Sequence, residues 1–220
     1  MVNEGTPEVA ITKQREFLED VFLSNVLSAA LVIRKGRRVF KDTPTPLESA
    51  EREEFRGALK SELLKLAKRY SSAVEEEVHI DNIRGLAKDL SDTYGKLLDG
   101  DLLLGRAQKA LNLYLKYLWC EGLIVCPPHC PFDNDVISAL RKLLPKDCER
   151  RWTHADKADT YREWVKAAKV LAEKKGQSLS EWELEVWAAA QVKLKAAQAR
   201  NLAKLKAQLA DSALAPKQVA

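Results

Sequence analysis

The run "LLLGRAQKALNLYLKYLWC", Leu102 to Cys120, constrains this chain more than any other segment. Leu111, Leu115 and Leu118 recur at intervals of three and four residues, which is the period of one helical face. The neighbouring positions are also largely apolar, so the spacing predicts a central, buried α-helix. The proline-rich segment that follows, "CEGLIVCPPHCPFDNDV", has to end it, because proline neither donates a backbone hydrogen bond nor fits a helix interior.

Helical periodicity continues along the chain and no stretch alternates convincingly as a strand, so the expected fold class is all-α. A first helix over Thr12 to Ile33 directs Phe17, Leu18, Val21, Phe22 and Leu27 to the core. "TPLE" opens a second, with Thr45 as cap, Pro46 at the first helical position and Glu48 three residues after the cap; it can run to Tyr70. "SSAVEEEV" is weaker, and beyond it Ile80, Ile83, Leu86, Leu90 and Tyr94 share one face. Asp133 or Asn134 caps "DVISALRKLL", Thr153 caps a helix ending at Gly176, and Ser180 with Glu183 form a capping box for a last helix reaching about Leu209.

Composition fits this picture. Of 220 residues, 46% are hydrophobic and 31% charged, the balance of a soluble globular protein, and no apolar run approaches the roughly 18 residues of a membrane span. A cytoplasmic location is expected, with no membrane partner. In a reducing compartment, cysteines read as buried thiols rather than disulfides. Cys126 and Cys130 have the spacing of a zinc knuckle, but Pro127, Pro128 and Pro131 restrict how the backbone could wrap an ion and no second knuckle exists. Neither a metal site nor any cofactor is expected. His129 reads as a hydrogen-bonded turn residue, His154 as exposed, and His79 as belonging to no constellation.

The net charge of +4 is too mild to announce nucleic-acid binding, but its distribution is uneven. From Gln191 to Ala220 there are six basic residues against one acid. "IRKGRRVFK" adds a basic loop with Arg34, Lys35, Arg37, Arg38 and Lys41, readable as a solvated turn or as a phosphate-contacting loop.

Two segments resemble helix-hairpin-helix DNA glycosylases. "LLGRAQK" is similar to the Leu-Pro-Gly-Val-Gly-x-Lys hairpin, with Leu103 and Gly105 at its leucine and first glycine and Lys109 at the lysine of the bifunctional members. "PFDNDV" is similar to the Pro-Val-Asp-x-x-Val turn, with Pro131, Asp133 and Val136 in place. Leu104 and Ala107 depart from the hairpin's proline and second glycine, and Asp135 stands where a histidine is common. The resemblance covers Leu103 to Val136. It implies a helix-hairpin-helix-like centre, DNA as partner, and Lys109 and Asp133 as catalytic amine and carboxylate. Gly105 and Arg106 would contact a phosphate, and Tyr117, Trp119 or Trp152 would wall a pocket for an extruded base.

The resulting expectation is one multi-helix core over residues 1–176, a long basic C-terminal helix over 177–210 and a flexible tail over 211–220. Its activity would be that of a base-excision glycosylase/lyase. The competing expectation is a non-catalytic helical module that binds DNA, or a protein through the C-terminal helix. In that case Lys109 faces solvent and Asp133 only caps its helix. A partner-binding role would gain from an exposed stripe of Trp182, Val186, Leu194 and Leu205.

Overall fold

The computed structural model describes residues 7–32, 38–41 and 46–214. In chain order the helices are α1 (Pro7–Ala30), α2 (Pro46–Ala67), α3 (Glu76–Tyr94), α4 (Leu104–Cys120), α5 (Asn134–Leu140), α6 (Ala158–Glu173) and α7 (Leu179–Leu214). Short 3-10 turns occupy Lys68–Ser71 and Trp152–His154. The protein is all-α. Among the described residues, extended backbone pairs only as an isolated antiparallel bridge between Phe40 and Leu98. Arg34, Lys35 and Arg37 lie outside the described residues, whereas Arg38 is described and exposed.

The helix from Leu104 to Cys120 is the axis, as its apolar density requires. Every residue from Leu104 to Asn112 is buried, together with Tyr114, Leu115, Lys116 and Leu118. α1, α2, α3 and the Trp152–His154 turn pack directly against it, while α5 packs on α6 and α7. Its N-terminus lies against the turn so closely that only glycine fits. A Cβ at Gly105 would stand 1.8 Å from the Trp152 carbonyl oxygen, and the Gly105 N–H donates to the Ala155 carbonyl at 2.8 Å. At the other end Gly122 adopts φ +71°, a left-handed conformation that glycine accepts without strain, and the Leu123 N–H returns to the Leu118 carbonyl at 2.9 Å.

α3 packs as its periodicity predicts, burying Ile80, Ile83, Leu86 and Leu90. α1 does not. Its core residues are Leu23, Val26, Leu27 and Ala30, while Phe17 is 67% exposed and Leu18 and Val21 are also exposed. The helix meets the core through its C-terminal half, so apolar residues of its earlier turns have nothing to pack against. Phe22 is intermediate and stacks on Tyr117 with ring centroids 4.8 Å apart.

Two helix starts also differ from expectation. Thr153 is buried inside the 3-10 turn and α6 begins later, at Ala158. The capping box before α7 is formed by Ser178 and Glu181, whose side chains bond reciprocally to each other's backbone N–H at 2.8 and 3.2 Å. Ser180 and Glu183 are buried instead. Thr45 lies outside the described residues.

The connection from α4 to α5 is the proline-rich turn. Pro127, His129, Cys130, Pro131 and Phe132 are buried in it, while Cys126 and the nearby Cys120 are exposed, so only part of the cysteine set behaves as core. No group of three or more potential metal ligands occurs among the described residues, and no described helix is long and apolar enough to cross a membrane.

Gly105→Ala tests the backbone approach of α4 to the Trp152–His154 turn. Because the obstacle is a carbonyl oxygen and not a movable side chain, a loss of roughly 3 kcal/mol is expected in urea unfolding. An unchanged unfolding midpoint would mean that the two segments do not touch in solution.

Candidate functional site

Five polar or charged side chains of α4, Arg106, Gln108, Lys109, Asn112 and Lys116, are buried. Buried polar groups are tolerated only when partnered, and each of these bonds to a residue outside α4. Arg106 donates from one nitrogen to the carbonyls of Ala30 and Val32, at 2.8 and 2.9 Å, and so closes the C-terminus of α1. Gly105 and Arg106 are therefore engaged inside the molecule and are not turned toward a phosphate.

Gln108 grips the proline-rich turn with both ends of its amide. Its nitrogen donates to the Phe132 carbonyl at 2.7 Å, and its oxygen accepts the Phe132 N–H at 3.1 Å. One helical turn along, Asn112 donates to the Cys130 carbonyl at 2.9 Å. The next residue after this clamp is Asp133.

Asp133 has two functions that divide between its oxygens. One caps α5 by accepting the N–H groups of Asp135 and Val136, at 3.0 and 3.2 Å. The other accepts from Lys109 Nζ at 2.9 Å. Burial on its own would raise the Asp133 pKa, but the Lys109 charge and hydrogen bond, aided by the two backbone donors, hold it below its ordinary value. The carboxylate is 27% exposed and the lysine side chain 9%, so the pair sits at the inner wall of an open cleft. That cleft, of about 410 Å³, is lined by Asn25, Ser28, Ala29 and Val32 of the α1 region, by Lys109, by Asp133 to Asp135, and by Trp152.

Of the expected wall residues, Trp152 does line the cleft, although it is itself only 3% exposed. Tyr117 stacks against Phe22, and Trp119 is half-buried. The structure thus brings Lys109 and Asp133 together and leaves Gly105 and Arg106 as parts of the fold.

A second ion pair lies two turns along α4 from Lys109. Lys116 Nζ approaches Glu183 of α7 at 2.5 Å, both side chains being nearly inaccessible, and the ammonium also lies 5.4 Å from the Trp187 ring centroid. Burial raises the Glu183 pKa in spite of Lys116, and the charges of Lys109 and Asp133 both reach it.

Behind the clamp runs a hydrogen-bonded chain that the sequence reading did not find. Asn82 donates to the Tyr70 hydroxyl at 3.1 Å, so that hydroxyl donates onward to His79 Nδ1 at 2.6 Å, and His79 Nε2 donates to Asn112 at 2.8 Å. Asn112 in turn donates to the Tyr161 hydroxyl at 3.0 Å, which donates to His129 Nδ1 at 3.0 Å. His129 Nε2 then donates to Glu76 at 3.0 Å, and Lys169 reaches the same carboxylate oxygen at 2.7 Å. His79, expected to belong to no constellation, is one of its central members; His129 is the hydrogen-bonded turn residue expected. His154 is only partly exposed. The available signal was the presence of Gln108 and Asn112, one turn apart, inside the most apolar helix of the chain.

This donor order is the one that neutral histidines give, and burial favours the neutral form of both. Burial, then the proximity of His129, lowers the His79 pKa to about 3, and burial lowers that of His129 despite Glu76. Comparison of the chain with protein-family models, curated proteins and solved structures finds no match.

Two measurements follow from this geometry. A histidine held neutral contributes stability that is complete above its unfolded pKa, near 6.5, and declines as pH falls toward the folded value. Urea unfolding at pH 7.5 and pH 5 is expected to differ by about 2 kcal/mol on account of His79 alone, and His79→Gln is expected to flatten the dependence. A slope that survives His79→Gln unchanged assigns the effect elsewhere. Gln108→Leu leaves both backbone groups of Phe132 unpaired, with a loss of roughly 2–3 kcal/mol. It also releases Asp133 from its register. The Asp133 carboxyl, followed by carbon-detected NMR, should then titrate closer to an ordinary aspartate; the same midpoint in both proteins would show that Gln108 does not position it.

Proposed function

We propose that the Lys109–Asp133 cleft is the active site of a nucleic-acid-directed glycosylase/lyase. The observation that carries this reading is the pair itself: an amine and a carboxylate 2.9 Å apart at the wall of an open cleft, joined across helices and held by a dedicated clamp. The resemblance of "LLGRAQK" and "PFDNDV" to the two motifs of helix-hairpin-helix DNA glycosylases supports the same assignment.

In this reading Lys109 transfers its proton to the Asp133 carboxylate and its free amine attacks the sugar carbon that carries the base. The new carbon–nitrogen bond forms as the glycosidic bond breaks, and the bonding pair leaves with the base, which takes up a proton. Ring opening converts the adduct to an imine. Asp133 hands the proton it took from Lys109 to the departing base and, a carboxylate again, stabilises the positive charge that develops on the sugar carbon. The target nucleotide has to leave its stack to enter the cleft.

A second reading is favoured by one observation: Lys109 is only 7% exposed, as a residue that merely ties α4 to α5 would be. The protein is then a non-catalytic helical module that binds DNA or a protein.

Borohydride trapping separates the two. Incubated with duplex oligonucleotides containing abasic, deaminated or oxidised sites, the protein is expected to form a covalent adduct on hydride reduction of the imine. Lys109→Gln should abolish it, and Asp133→Asn should slow its formation on the order of 100-fold. No adduct and no base release from any duplex, with both variants folded, would leave the binding module.

A further inference from the structure

α7 begins as a core helix and finishes as something else. Leu179, Trp182 and Glu183 are buried, and the Lys116–Glu183 pair fixes this first part to α4. From Val192 to Lys206 every side chain except Ala197 is exposed. That exposed part carries Lys193, Lys195, Arg200, Lys204 and Lys206, and no acid occurs between Glu185 and Asp211. None of the five cations forms an ion pair among the described residues, in contrast to Lys175, which pairs with Glu185.

A groove connects this cationic segment with the proposed site. Asp135, Ser138 and Ala139 of α5 face Val186, Ala189, Ala190, Gln191, Lys193 and Leu194 of α7 across a space of about 480 Å³. Asp135 lines the Lys109–Asp133 cleft as well. A ligand that fills the cleft and continues past Asp135 therefore enters this groove and comes out at Lys193, where the uninterrupted run of positive charge starts.

Helical spacing places the charges on two sides. Lys193, Arg200 and Lys204, separated by seven and four residues, share one face; Lys195 and Lys206, eleven residues or about three turns apart, share another. A flat anionic bilayer could meet one of these faces but not both, and a second copy of the same helix would bring like charges together. A flexible or grooved polyanion can meet both.

We infer that α7 beyond Ala190 is a backbone-binding arm for the nucleic acid that occupies the cleft, contacting phosphates through Lys193, Lys195, Arg200, Lys204 and Lys206. The inference rests on the proposed function for the identity of its partner, but the arm and the chemistry can fail separately. Its contacts are to phosphate, so they set register and affinity without reading sequence.

The test is equilibrium binding of the full chain to a fluorescein-labelled 30-base-pair duplex with a central abasic site, and to the same labelled strand alone, between about 50 and 200 mM salt. The comparison protein replaces all five cations with glutamine, changes that leave the core untouched, with circular dichroism to check helicity. Each lost phosphate contact lowers the slope of log K against log salt by about 0.9 on a duplex, so the five changes should reduce it by about 4.5 and weaken low-salt binding at least 10-fold. The same slope and affinity in both proteins would overturn the inference, as would an absence of binding by the unaltered chain. So would capture of the unaltered chain, but not the variant, by phosphatidylserine vesicles without a corresponding effect on DNA. Arm-dependent binding without a borohydride adduct would retain the arm and reject the lyase. An adduct that forms equally well in the glutamine variant at low protein concentration would do the reverse.

Discussion

The clamp from α4 to the proline-rich turn is the constraint on which the rest depends. Gln108 satisfies both backbone groups of Phe132, and Asn112 holds the Cys130 carbonyl, so the irregular chain is fixed to the central helix at the two residues on either side of Pro131. Such bonds are modest one by one, but an unsatisfied buried donor or acceptor is expensive, which makes any other register of the turn unfavourable. Asp133 inherits its position from this clamp. So does the start of α5, whose first N–H groups Asp133 caps.

The same helix joins the other parts of the molecule through groups that would be unusual in an isolated core. Arg106 closes the end of α1, Lys109 meets α5, Lys116 meets α7, and Asn112 connects to the chain of tyrosines and histidines between α3 and α6. A wholly apolar α4 would still be buried, but greasy contacts alone do not distinguish one helix register from its neighbours. Directional bonds from successive turns do. The arrangement also gives the molecule an uneven electrical character: the buried lysines of α4 are paired with carboxylates, whereas the second half of α7 presents cations to water.

Much of the architecture was legible because it rests on local physics. The period of Ile80, Ile83, Leu86 and Leu90 gives the buried face of α3, and the density of leucine from Leu102 to Leu118 gives the axis. Asp133 was readable as a cap because a short acceptor before "NDV" needs no distant partner. The errors arose where distance matters. Phe17 has the same chemistry as a core residue and lies on a real helix, but no neighbour covers it. Ser180 and Glu183 satisfy the pattern of a capping box, yet the helix starts two residues earlier than that box requires and Ser178 with Glu181 take the part. Glu183 is consequently free to go inward to Lys116.

By itself the sequence determined the all-α class, the buried central helix, the turn that ends it and the cap that follows, since periodicity, proline and short polar side chains act over a few residues. Lys109 and Asp133 could be singled out only by their resemblance to motifs, because a lysine in a helix and an aspartate at a cap have no local reason to meet. Tertiary structure decided that they do, 24 residues apart in the chain and 2.9 Å apart in space. It decided equally that Arg106 and Gly105 belong to the interior and that His79 belongs to a buried network. The physical reason is common to all of these: a buried polar group has to find a partner, and which partner is near is settled by how the helices pack.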